Sequence, residues 1–292
     1  FYSVPRNNEL TRSLGQLRLL SQTIPRQATE STASGSPEAI ASLKKSQEQF
    51  AQNLENVQDI YGASSEEFKK VDQLWKNVST NVDLITSQQK LINQLYDTNI
   101  AIGESIPGIQ AEYNLMVDQM ARLNMPSSQV VIAKNQVFIA ERILRSISSV
   151  LVGTENARAS ADDFSADIET FGAYLNAQLN GSADLGVERI SDPSLRESVD
   201  SIKSEYDEVL KTAASTVFKN ANQIVKVRQA SSQIFSQSDD MLKSLNNLSD
   251  KADSNWSSVI PAVLLLLFLT GFILSVCLLY TSPSPRDQRG SR

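Results

Sequence analysis

The stretch FKKVDQLWKNVSTNVDLITSQQKLINQLY, residues 68–96, decides the fold class. Phe68, Val71, Trp75, Val78, Val82, Ile85, Ile92 and Tyr96 recur in steps of three, four and seven. That period places them along one side of a helix, and the Lys, Asp, Asn, Gln and Ser residues between them on the other. Ser64, Ser65, Glu66 and Glu67 precede the stripe. Hydroxyls that cap free N–H groups and carboxylates that favour the positive end of a helix are a start signal.

The same period extends outward in both directions. Towards the N-terminus, Leu10, Leu14, Leu17, Ile24 and Ala28 form one stripe, followed by a breaker at residues 33–37. Ile40, Leu43, Phe50, Leu54 and Val57 form a second, closed by Tyr61 and Gly62. Downstream, Pro107 near a helix start and Pro126 after the helix end bracket a stripe of Ile109, Tyr113, Met116, Met120 and Leu123. Val137, Ala140, Leu144, Ile147 and Leu151 make the next, with Gly153 as an expected C-cap. Ala161, Phe164, Ile168, Phe171 and Leu175 follow, ending before Asn180 and Gly181. After a loop to Pro193, Leu195, Val199, Ile202, Tyr206 and Val209 begin another. The last stripe, Val217 through Ile224, Val227, Ile234, Met241, Leu245 and Leu248, reaches Trp256 without a proline or glycine. An unbroken helix of this kind is expected to transmit displacement, which a flexible linker cannot.

Beyond it lies VIPAVLLLLFLTGFILSV, residues 259–276, the only long uncharged apolar run. At a rise of about 1.5 Å per residue it covers roughly 27 Å, close to the ~30 Å hydrocarbon core of a bilayer. A transmembrane helix over residues 256–280 is therefore expected, with Trp256 at the membrane interface. The final stretch, CLLYTSPSPRDQRGSR, resembles translated sequencing-adapter read-through and departs from the texture of the preceding chain. Residues 281–292 are read as an artefactual or disordered tail. The chain opens on Phe1 without a signal-peptide pattern, so a middle fragment of a longer protein is expected.

Composition excludes several chemistries. There is no histidine, and the single Cys277 lies in the suspect tail. The usual zinc ligand sets, the Ser-His-Asp arrangement and the Cys-His dyad are thereby removed. No acidic pair stands out from the scatter of a solvated helical surface, so neither a metal, a cofactor nor an enzyme is expected. The formal charge of −6 argues against a nucleic-acid surface, which needs clustered Lys and Arg.

The two halves resemble one another. A shift of about 120 residues places Leu17, Leu20, Ser21 and Gln22 over Val137, Ala140, Glu141 and Arg142, and one further residue places Phe50 and Leu54 over Phe171 and Leu175. An internal duplication accounts for this. The expected fold is all-α: an elongated bimodular bundle of two four-helix units, residues 1–125 and 126–255, followed by the membrane helix. Trp75 and Tyr206 occupy related places in the halves and are expected in the core.

Five separated blocks carry a family resemblance: GQLRLLSQTIPRQATES (15–31), LKKSQEQFAQNL (43–54), IPGIQAEYNLMV (106–117), QVFIAERILRSISSVLVG (136–153) and DDFSADIETFGAYLNAQLNG (162–181). Together they resemble the periplasmic domain of PilJ-type transducers, the methyl-accepting chemotaxis proteins of type IV pilus systems. The resemblance implies a sensor module in the periplasm of a bacterial inner-membrane protein, a homodimer with a membrane helix before and after the sensor domain. It implies a cytoplasmic HAMP relay and methylated hairpin beyond the chain, through which a kinase and adaptor would be reached. The implied cue is extracellular, pilin or another periplasmic protein.

Candidate ligand contacts are Arg18, Gln22 and Arg26, spaced by four on one helix face, with Arg142 in the corresponding place of the second half. The first block also resembles the sensor helix of nitrate and nitrite receptor kinases, where an arginine meets the anion at a dimer axis. A small-anion receptor ectodomain is therefore the alternative function. A tail-anchored tethering protein is another, although it would carry one long heptad block just before the membrane. Pro25 interrupts the first helix, where it removes a backbone bond at a cost of about 3 kcal/mol, and a kink near Gln22 is expected.

Overall fold

The structure is a computed structural model. It describes the backbone of residues 3–152 and 156–281, and their side chains except those of 3–5, 7, 152, 255–263 and 276–281. The fold is all-helical: α1 (Ser3–Ser34), α2 (Pro37–Tyr61), α3 (Glu66–Ser87), α4 (Gln89–Arg122), α5 (Ser127–Val152), α6 (Ala157–Asn180), α7 (Pro193–Glu205), α8 (Lys211–Ser236) and α9 (Ser238–Thr281). A π-helical turn, Tyr206–Leu210, joins α7 to α8. No strand occurs among the described residues beyond an isolated bridge between Ser182 and Val187.

Local chemistry sets the helix ends. The Ser36 hydroxyl accepts from the Ala39 N–H at 3.3 Å and Pro37 opens α2. Ser65 caps α3 through the Phe68 N–H at 3.1 Å. The Asp192 carboxylate receives the N–H groups of Ser194 and Leu195, both at 3.1 Å, ahead of Pro193 at the first turn of α7. Gly35, at φ +61°, turns the chain between α1 and α2; a Cβ there would lie 2.7 Å from the Tyr96 Cβ and 2.9 Å from the Ile92 carbonyl oxygen.

The helices enclose two hydrophobic cores. One gathers α1, α2 and α3, through side chains such as Leu17, Leu43 and Val71, and adds Val227, Ile234, Met241 and Leu245 from α8 and α9. The other runs from Leu91 to Ile224 and is built by α4, α5, α6, α7 and the first half of α8. Helix α8 thus lies in both. The aromatic centre of the first core is Phe50 stacked on Trp75, centroids 4.1 Å apart. In the second, Phe171 stacks on Tyr206 at 6.1 Å and meets the Tyr113 edge at 6.0 Å. Phe50 and Phe171 are the residues aligned by the internal similarity, and each stacks on one of the two related aromatics, Trp75 and Tyr206.

Four sequence expectations need correction. The stripe at residues 68–96 spans two helices, because the chain turns at Gln88 (φ −98°, ψ 18°), and Tyr96 is 39% exposed. Pro107 lies inside α4, eighteen residues after its start at Gln89, rather than near a helix start. The buried stripe of α5 is Gln129, Ala133, Gln136, Ala140, Ile143, Ile147, Val150 and Leu151; Val137 and Leu144 are only partly buried. The last stripe is divided at Gln237 (φ −87°, ψ −6°), where the Ser236 and Ser238 hydroxyls donate to the Gln233 and Phe235 carbonyls. Serine hydroxyls that compete for backbone acceptors loosen a helical turn. The ladder nevertheless continues across it, since the Gln237 N–H meets Gln233 O at 3.1 Å and the Met241 N–H meets Gln237 O at 3.0 Å.

Helix α1 continues through Pro25, which is buried. Among the described residues no helix is long and apolar enough to cross a membrane. Part of the expected span, 259–263 and 276, has side chains outside the described residues, as do Trp256 and Cys277; Gly153 and the tail 282–292 lie outside them entirely. Within the span, nine apolar side chains from Leu264 to Leu274 are more than half exposed, Phe268 at 80%.

Candidate functional site

The α1 surface carries three of the four candidate contacts. Gln22 and Arg26 are exposed, and they line one groove of about 410 Å³ together with Pro25, Thr29, Glu30 and Phe235. Phe235 is 66% exposed and lies at the end of α8, so the groove runs between α1 and the α8–α9 turn. Pro25 has no N–H to give the Ser21 carbonyl, so α1 lacks one backbone bond at this point. Arg18 is half-buried and does not line this groove, and its buried Nε has no hydrogen-bond partner among the described residues. Leu19, on the same face as Gln22 and Arg26, is 61% exposed.

Arg142 is engaged elsewhere. Its guanidinium donates to the Asp167 carboxylate of α6 at 2.6 Å, while Asp167 is only 5% exposed. Its neighbours Ala140 and Ile143 lie in the α4–α7 core, whereas Leu17, next to Arg18, lies in the α1–α3 core. Glu141 receives Gln110 Nε2 at 3.4 Å and faces Arg145 at 3.9 Å. The four candidates therefore do not converge: Gln22 and Arg26 share a groove, Arg18 stands beside it on α1, and Arg142 is held in an ion pair.

Asp167 gives a pH-dependent prediction. Burial raises its pKa above the ordinary 3.8, against the opposing charge of Arg142, with Asp163 adding to the rise. A carboxyl group that binds its proton more readily when folded contributes stability that is full below 3.8 and lost as pH rises through the higher folded value. Urea titrations between about pH 4 and 7 should show the wild type losing stability relative to Asp167→Asn as pH rises; a difference of the opposite slope would contradict this assignment.

A polar network that the residue pattern does not announce sits inside the α4–α7 core. Tyr113 Oη donates to Gln178 Oε1 at 2.7 Å, and Gln136 Nε2 donates to the Phe171 carbonyl at 2.9 Å and to Tyr113 Oη at 3.3 Å. All three side chains are at most 1% exposed. Burial holds the Tyr113 hydroxyl far above the ordinary phenol value, so it acts as a neutral donor and not as an acid. Among the described residues Gln136 Oε1 and Gln178 Nε2 have no partner. Glutamine on a helical stripe is indistinguishable in sequence from a solvated face residue, which is why these positions were missed.

Among the described residues no cluster of acidic, histidine or cysteine side chains could hold a metal ion. No family model matches the chain. Two curated proteins are similar to it. A protein described as a methyl-accepting chemotaxis protein, AlkN of Alcanivorax borkumensis, is 30% identical over 254 residues, 87% of this chain and 37% of that protein. Protein PilJ of Pseudomonas aeruginosa is 30% identical over 245 residues, 81% of this chain and 36% of its own. The chain thus spans little more than a third of the length of the relatives it matches. These relatives are chemotaxis transducers, which are not themselves enzymes. The resemblance carried by the five sequence blocks is borne out: over more than four fifths of its length the chain is related to PilJ-like chemotaxis transducers and corresponds to a sensor region of such a protein.

Proposed function

We propose that this chain is the sensory region of a type IV pilus chemosensory transducer. The observation that carries the reading is the 30% identity to PilJ and AlkN, which extends through nearly the whole chain and not one helix alone. The two cores act as two helical bundles in the periplasm of a bacterial cell and receive an extracellular cue, pilin or surface contact. A cue acts by binding one packing of the helices better than the other. Helix α8 takes part in both cores and leads into α9 with its backbone ladder nearly intact, so a change in either bundle reaches α9. Residues 256–280 cross the inner membrane, with Trp256 at the interface. The exposed apolar side chains of 264–274 support this part, because lipid would remove them from water. Downstream, a cytoplasmic kinase and adaptor respond. A homodimer completes the unit, and the exposed face of α1 with Leu19, Gln22 and Arg26 is the surface on which two copies meet.

The second reading, a small-anion receptor, draws support from Arg18: a buried Nε without a partner beside a groove holding Gln22 and Arg26 is suited to an anion shared across that dimer face.

A topology assay tests the membrane part. Alkaline phosphatase inserted in the loop at Asp184 of the chain expressed behind an export signal should be active in the periplasm, and the same reporter placed after Val276 should be inactive. Activity at both positions would show that the apolar run does not stop transfer.

A further inference from the structure

Arg228 stands at the point of α8 where one core gives way to the other: Ile224 belongs to the α4–α7 core and Val227 to the α1–α3 core. Its side chain reaches two other helices, with Nε donating to the Val150 carbonyl of α5 and Nη1 to the Thr32 hydroxyl of α1, each at 3.4 Å. Those are long bonds to neutral acceptors. Among the described residues its buried Nη2 has no partner and no carboxylate pairs with it. Burial lowers its pKa to about 10, the direction expected when a cation is taken from water without compensation.

A partly buried cation without a counter-charge destabilises a fold, and natural proteins pair such groups or use them. Next to Arg228 lies an open groove of about 500 Å³ between the start of α6 and α8. Asn156, Arg158, Gln229, Ser232 and Gln233 line it with Arg228, and among the described residues no acidic side chain does. Arg158 brings a second guanidinium, 57% exposed, whose Nη1 donates to Asn222 Oδ1 at 2.6 Å and whose Nε is 3.7 Å from the Asp162 carboxylate. Its charge is thus only loosely matched. Two arginines, three amides, a hydroxyl and an open polar groove make a donor-rich site for negative oxygen atoms.

We propose that this groove binds a small molecule bearing an anionic oxygen group, a carboxylate or an inorganic oxyanion, with Arg228 as its buried charge partner and Arg158 as the second cation. The site is separate from the α1 face and does not depend on the function proposed above. Its position at the junction means that an occupied groove ties α6 and α8 together where the two cores meet.

The test is calorimetric titration of the chain in detergent with sodium succinate and with sodium sulfate, at constant ionic strength balanced by chloride. Saturable binding of at least one probe is expected, weakened roughly tenfold or more by Arg158→Ala and by Arg228→Met, since each removes a charge-assisted contact. Arg122→Ala, which removes an exposed cation at the end of α4 that lines neither groove, should leave it unchanged. In anion-poor buffer Arg228→Met should melt no lower than wild type, whereas a purely structural arginine would make that variant melt lower. Because Arg158 is exposed, its variant remains informative even if Arg228→Met fails to fold. Absence of saturable binding by both probes overturns the proposal. So does binding that survives Arg158→Ala unchanged or is abolished by Arg122→Ala.

Discussion

Phe171→Ala is expected to reduce unfolding free energy by about 3 to 5 kcal/mol, the range for deleting a fully buried aromatic ring. Phe171 is 0% exposed and sits between Tyr113, in an edge contact, and Tyr206, stacked on it. Its backbone carbonyl also receives the Gln136 amide. Removing the ring leaves a cavity lined by two tyrosines, one of which holds the buried amide network in place, so collapse around the gap is hindered. Urea denaturation followed by circular dichroism should show the loss as a lower midpoint; a shift equivalent to less than about 1 kcal/mol would mean that the ring is not the centre of this core.

The second large effect is expected one residue further on. Glycine inside a helix usually costs up to about 1 kcal/mol relative to alanine, so Gly172→Ala would stabilise an ordinary helix. Here a Cβ would collide with the Tyr206 hydroxyl and its Cζ, and an aromatic ring stacked on Phe171 cannot swing away freely. Overpacking of this kind costs about 1 to 3 kcal/mol and outweighs the gain in propensity. Gly172→Ala should therefore lower the melting temperature, and Gly172→Ala with Tyr206→Leu should recover part of the loss. The corresponding position beside Phe50 is Ala51, where no such glycine is needed. A stabilised Gly172→Ala variant would show that Tyr206 does not press against α6.

Much of the helical framework was legible because its signals are local. Ser36 with Pro37, Ser65 with Glu66 and Glu67, and the glycine after Asn180 mark helix ends through bonds made within a few residues. The turn at Gln88 and the one at Gln237 left no such mark, because the apolar period runs on across both and the departure is a single residue. The π-helical turn at Tyr206–Leu210 is equally silent in composition. Which helices share a core was not legible either. An amphipathic stripe requires a partner face but does not say whose, and residues 227–252 return to pack with α1, α2 and α3 from the far end of the chain. At the candidate site, the face shared by Gln22 and Arg26 followed from spacing by four, but the capture of Arg142 by Asp167 depends on a contact between separate helices. Arg228 drew no notice in the sequence, since a lone arginine on a stripe reads as solvated until the burial around it is known.

The physical account of signalling rests on continuity. A cue that changes packing in either bundle must bias α8, and α8 passes into α9 through one loosened turn whose backbone bonds persist. Coding sequence recovered from the source DNA across both ends of the chain tests this most directly. The account predicts an upstream membrane helix and, after Val276, a reading frame that continues into a HAMP relay and a methylated signalling hairpin. A stop codon immediately after the apolar run would contradict it, leaving α9 with nothing to signal to and favouring a tail-anchored tether.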